Sequence, residues 1–163
     1  MSTRPRLALA VVLATALLAG PLAAQDRVRF GVVFGGLGFV GTVVEGIWDD
    51  RSVEVVLSTF SFHDVSLSAA GKQFFGDSWM KPAVGAGITW MLARTEDGAG
   101  SALIARFPLG GDWQMSSGHY LTWEVNVTRA LWVRRPDPSD TTPPTQRIIP
   151  FPSVSYRLDP DGL

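Results

Sequence analysis

From about position 26 onward, apolar and non-apolar residues alternate with a period of two, the pattern of strands that present two different faces. In KPAVGAGITWML, Lys81 to Leu92, one series is Val84, Ala86, Ile88, Trp90 and Leu92. The other is Ala83, Gly85, Gly87, Thr89 and Met91, mostly small. Further along, Leu121, Trp123, Val125 and Val127 oppose Thr122, Glu124, Asn126 and Thr128. Near the start, Val28, Phe30, Val32 and Phe34 oppose Arg29, Gly31, Val33 and Gly35. Val53, Val55 and Leu57 oppose Glu54, Val56 and Ser58, and Val65, Leu67 and Ala69 oppose Ser66, Ser68, Ala70 and Lys72. The pattern predicts eight strands, roughly Asp26–Gly35, Gly38–Trp48, Ser52–Phe62, Val65–Phe75, Lys81–Ala93, Ser101–Leu109, His119–Val133 and Arg147–Leu158. Most connections are short and rich in Gly, Asp or Ser, which suits antiparallel neighbours.

A soluble sheet also alternates, so periodicity alone does not choose the solvent. Two details favour an apolar outside. The second face is rich in Gly, Ala, Ser and Thr, and charged residues make up only 18% of the chain, low for a surface in water. An even number of strands of about ten residues, joined by polar turns, is the sequence pattern of an outer-membrane barrel. Turned this way, Arg29, Glu45, Glu54, Lys72, Arg106 and Glu124 face the interior as a polar network, because an isolated charge in lipid is costly. An eight-stranded interior is just wide enough for side chains, so the network reads as a plug and not a path for solutes. If both ends of the chain lie on one side of a membrane, Trp48, Trp79 and Trp113 fall at the even-numbered connections and Trp90 and Trp132 toward the opposite rim. That is the arrangement of two aromatic girdles.

The opening residues change the address. MSTRPRLALAVVLATALLAGPLAAQ has Arg4 and Arg6, an apolar run from Leu7 to Leu18, and small residues before Gln25, which is the anatomy of a signal peptide cleaved after Ala24. The run is short for a spanning helix. Without residues 1–24, twelve basic side chains face fifteen acidic ones, a net charge of −3 and no footprint for nucleic acid. Residues 25–163 then form one barrel domain. The chain has no cysteine, which excludes disulfides and cysteine-based metal sites. Nothing in it calls for a cofactor.

With these features in place, the chain resembles small eight-stranded outer-membrane β-barrels, the group that includes the OmpA transmembrane domain and OmpX. The resemblance is carried by KPAVGAGITWML, YLTWEVNVTRALW and PSVSYRL. It implies an all-β, antiparallel, up-and-down transmembrane barrel in the outer membrane of a diderm bacterium. It also implies outer-membrane lipid and the barrel-assembly machinery as partners. The chain closes on DPDGL where that group ends on an aromatic, so an assembly signal would be read at Tyr156–Leu158.

Candidate chemistry is sparse. His63 sits beside Asp64, Ser66 and Ser68, but in a regular strand Ser66 points to the face opposite His63. His119 lies near Ser116, Ser117 and Glu124 beside a turn. Either histidine could serve a lipid-modifying hydrolase. A soluble exported barrel holding an apolar ligand is another reading. GVVFG, Gly31–Gly35, matches a helix-pairing motif and leaves a transmembrane helix open. The first expectation remains a structural or interaction role, with the Pro-rich RRPDPSDTTPPTQ as the longest external connection.

Overall fold

The computed structural model describes residues 27–61, 63–95, 98–135, 137 and 147–162. The leader read over residues 1–24 and nearly all of the Pro-rich connection lie outside them. Eight strands form: β1 Arg27–Gly35, β2 Val40–Trp48, β3 Arg51–Thr59, β4 Asp64–Phe74, β5 Met80–Thr95, β6 Gly98–Ser116, β7 His119–Arg134 and β8 Ile149–Leu158. Each pairs antiparallel with its neighbours in sequence, and β8 returns to pair with β1. The result is a closed, all-antiparallel, up-and-down barrel with no free sheet edge. Following cross-strand partners around the wall from Arg27 gives a stagger of about ten residues per circuit, which tilts the strands. Among the described residues no helix is long and apolar enough to cross a membrane. Gly31–Gly35 is part of β1 and not a helix, because Val28 to Phe34 alternate and Gly35 and Gly36 turn with φ of 85° and 76°.

The start of β1, the end of β8 and the β2–β3, β4–β5 and β6–β7 connections share one end of the barrel, here the terminal end. The other four connections form the loop end. β3 stops at Thr59 because Asp64 folds the next residues into a turn. Its carboxylate accepts from the Phe60 N–H at 2.7 Å, and from the Ser61 N–H and hydroxyl at 3.1 and 2.8 Å.

The largest departure from the sequence expectation is β6, which runs to Ser116 and not to Leu109. Gly110 and Gly111 read as a turn, yet both stay in the ladder opposite Glu124 and Trp123. The turn falls at Ser117 and Gly118, where Gly118 has a φ of 71°. β8 keeps its prolines because of the side their nitrogens face. Gly36 N–H donates to Pro152 O at 2.8 Å, so that carbonyl, and with it the proline nitrogen, faces the β1 side. β1 pairs with β8 only from Ser153 onward, so neither Pro150 nor Pro152 removes a bond from the β7 ladder.

The wall is inverted relative to a soluble protein. Phe34, Leu57 and Ile88 are 56%, 51% and 53% exposed, while Glu45, Glu54 and Thr89 are at 0%. Few apolar side chains are buried inside. Val43 and Val56 lie toward the loop end, and Ile47, Phe74 and Tyr120 toward the terminal end. Between these two layers sits the charged centre.

Candidate functional site

Alternation aims Glu45 of β2, Glu54 of β3, Lys72 of β4, Arg106 of β6, Glu124 of β7 and Arg29 of β1 into one lumen, and all six are buried there. Lys72 Nζ touches three carboxylates: Glu45 Oε1 at 3.1 Å, Glu54 Oε2 at 2.8 Å and Glu124 Oε1 at 2.9 Å. Arg106 donates to Glu54, to Glu124 Oε2 at 3.2 Å and to Asn126 Oδ1 at 2.6 Å. Arg29 Nη1 donates to Asp112 Oδ2 at 2.5 Å, and its guanidinium lies 3.4 Å from the Tyr120 ring centroid.

Two members of this network were not named among the expected interior charges. Arg157 Nη1 stands 2.6 Å from Glu45 Oε2, and its Nη2 donates to Glu54 Oε2 at 2.9 Å. Asp112 accepts from Arg29 and, at 2.6 Å, from the Thr122 hydroxyl. A signal for each existed. Arg157 shares parity with Ser153 and Ser155 against Val154 and Tyr156. Asp112 continues the inward series of Arg106, Pro108 and Gly110. Apart from Asp159, buried just past the end of β8, the network carries four acids, Glu45, Glu54, Asp112 and Glu124, against four bases, Arg29, Lys72, Arg106 and Arg157. The balance is what lets so many charges leave water together, since each has an opposite partner within contact.

The network stands between two small cavities. On the loop side a cavity of about 30 Å³ is lined by Val33, Val56, Ser58, Asn126 and Ser153 among others, room for a single water. On the terminal side a cavity of about 90 Å³ lies among Arg27, Arg29, Trp79, Lys81 and Gln114. Glu54, Arg106, Glu124 and Arg157 floor the first, while Arg29 and Asp112 border the second. Among the described residues no three His, Cys, Asp or Glu side chains stand where one metal ion could take them all.

No family model, curated protein or solved structure significantly matches the chain. Its chemistry therefore rests on its own residues.

The two histidines stand at opposite ends of the barrel. His63 is exposed in the β3–β4 turn, where its Nδ1 donates to Ser61 O at 2.9 Å. Ser66 points inward instead, 2.7 Å from Ser58 Oγ. His119 lies at the terminal end, with Nδ1 against the Tyr156 hydroxyl and no serine in that contact. His63 thus meets Ser61 at its main-chain carbonyl, while the Ser61 hydroxyl is given to Asp64, and His119 meets Tyr156.

The tryptophans divide by end. Trp79 and Trp113 pack edge to face at the terminal end, centroids 5.8 Å apart, with Trp48 half-buried at the β2–β3 turn on the same end. Trp90 and Trp132 lie in register toward the loop end, each opposite Leu103. Strict alternation from Leu121 and Trp123 would turn Trp132 inward. It is 50% exposed because Ile104 pairs with Ala130 while Leu103 pairs with Trp132, which leaves Leu131 as an extra residue. The bulge puts Leu131 and Trp132 both on the outer surface. Trp123, which belongs to neither group, lies mid-wall against Gly111.

Proposed function

We propose that this chain is an outer-membrane β-barrel whose role is structural or interactive, with a lumen closed by its own ion pairs and hydrocarbon around its wall. The single observation that carries the reading is the inversion of the wall. Large apolar side chains such as Leu67, Ile88, Trp90 and Phe107 point out, while the charged centre is buried inside. In water this arrangement would expose a continuous greasy surface, far beyond the few hundred Å² common on soluble monomers. In lipid it is the favoured arrangement, since an outward Arg or Lys at mid-bilayer costs about 2–4 kcal/mol. Closure of the barrel satisfies every strand from both sides, as hydrocarbon requires.

A soluble barrel holding an apolar ligand needs an apolar interior, and this interior is charged. The Pro-rich connection and the other loop-end segments are the surfaces left for interaction. Export through the leader of residues 1–24 and insertion by the barrel-assembly machinery belong to the same proposal.

Cell fractionation tests it. The chain is expected in the outer-membrane pellet, released by detergent and not by alkaline carbonate, and to run at different apparent masses before and after boiling. Recovery of the processed chain as a monodisperse species in buffer without detergent would overturn it.

A further inference from the structure

We propose that the outer surface of β5–β7 at the loop end binds the phosphate groups of anionic lipids, with Arg94 and Arg134 as the principal ligands. This rests on the membrane reading above and adds to it a lipid class and a leaflet.

Both strands carry the same order of side chains on their outer face. On β5, Trp90 and Leu92 are each 47% exposed, and Arg94 follows on the same parity, also exposed. On β7, the exposed Leu131 and Trp132 are followed by the exposed Arg134. An apolar belt passing into a guanidinium is the sequence of environments met on leaving acyl chains for headgroups. Arg134 reaches this face only through the bulge at Leu131, because unbroken alternation would turn it toward the bore. The irregularity thus delivers an aromatic and a cation together to the outer surface.

Between the two arginines runs β6, whose side chains here are small. Arg94 pairs with Ala99, and Ser101 pairs with both Leu92 and Arg134. Adjacent strands are about 4.8 Å apart and each residue rises about 3.4 Å, so the two arginines, two strands and two register positions apart, stand roughly 12 Å from each other at Cα across a low shelf, within the combined reach of their side chains. Ser101 lies on the shelf with a hydroxyl to donate. Arg129, on the same outer face of β7, adds a third cation nearer the hydrocarbon.

The terminal rim carries both signs. At the terminal end the exposed acids Asp49, Asp50, Asp77 and Asp161 accompany Arg27 and Arg51. At the loop end both oxygens of Asp64 are engaged in its own turn. The proposed ligand is an anionic lipid at the loop end, where both arginines stand just beyond the apolar belt.

Native mass spectrometry of the detergent-solubilised chain, mixed with equimolar phosphatidic acid and phosphatidylcholine, tests this. Phosphatidic acid adducts should dominate by about fivefold per guanidinium contact and persist in millimolar inorganic phosphate. The preference should collapse in R94Q/R134Q and survive in R27Q/R51Q, whose substitutions lie at the terminal end. Equal adducts of the two lipids on a chain that still shows heat-modifiable mobility would overturn the headgroup site alone. Loss of the preference in R27Q/R51Q as well would reduce it to net charge and also overturn it. Displacement by inorganic phosphate would make the ligand a free anion. A chain with no lipid adducts and no heat-modifiable mobility would remove the membrane reading and this inference together.

Discussion

Lys72→Met is expected to destabilise the folded barrel by about 3–5 kcal/mol, the cost of breaking a buried ion pair from one side. Lys72 stands within 3.1 Å of Glu45, Glu54 and Glu124. Methionine fills much of the same volume, so the loss is electrostatic and not a cavity. It leaves three carboxylates facing one another, with Arg106 and Arg157 in contact with them and Arg29 at 3.9 Å from Glu45. Urea unfolding in lipid vesicles, followed by tryptophan fluorescence, measures the change. Adding Glu54→Gln to Lys72→Met removes one of the stranded charges, so the double variant should lose less than the sum of the singles. A loss below about 1 kcal/mol for Lys72→Met would mean that water already screens the centre, as it does at surface pairs.

Gly110→Val should cost about 3 kcal/mol or more, the upper range for forced overpacking, through backbone and not charge. A Cβ at Gly110 would lie 1.9 Å from Trp123 O and 2.8 Å from Glu124 Cα. Both are main-chain atoms of the paired strand, which no rotamer change can move aside. β7 would have to retreat at Glu124, which holds Lys72 and Arg106 at this level. The expected result is a lower urea midpoint and a smaller heat-modifiable fraction. Gly76→Ala is the control: it meets nothing within 4 Å, so its cost is confined to a φ of 75°. Equal effects for the two variants would mean that the strand contact at Gly110 does not limit folding.

Much of this was legible because the chemistry on the two faces differs so strongly. Strand β7 could be read residue by residue, since Leu121 to Val127 and Thr122 to Thr128 share no residue type that suits both sides. The interior charges Glu54, Lys72 and Glu124 followed from the same parity. What escaped the sequence did so for local reasons. Arg157 lies beyond Pro150 and Pro152, a residue type that ordinarily argues against a strand paired on both sides. Only the structure puts their nitrogens on the side where β1 has already ended. Asp112 was hidden because adjacent glycines usually mark a turn, whereas Gly110 is there so that β7 can come close. The bulge at Leu131 could not be read at all. It depends on how many residues of β6 lie opposite β7, a property of the pair and not of either strand.

The membrane reading depends on hydrocarbon meeting the wall, and the absence of cysteine makes a direct measurement simple. Single cysteines at Leu67, Ile88 and Phe107, each outward and 46–53% exposed, can carry a nitroxide in chains reconstituted into vesicles. Collision rates with oxygen and with a water-soluble nickel chelate then separate lipid from water. A lipid-embedded barrel requires oxygen to dominate at all three positions, while the chelate stays excluded. Strong relaxation by the chelate at these positions, with oxygen no more effective than in buffer, would contradict it.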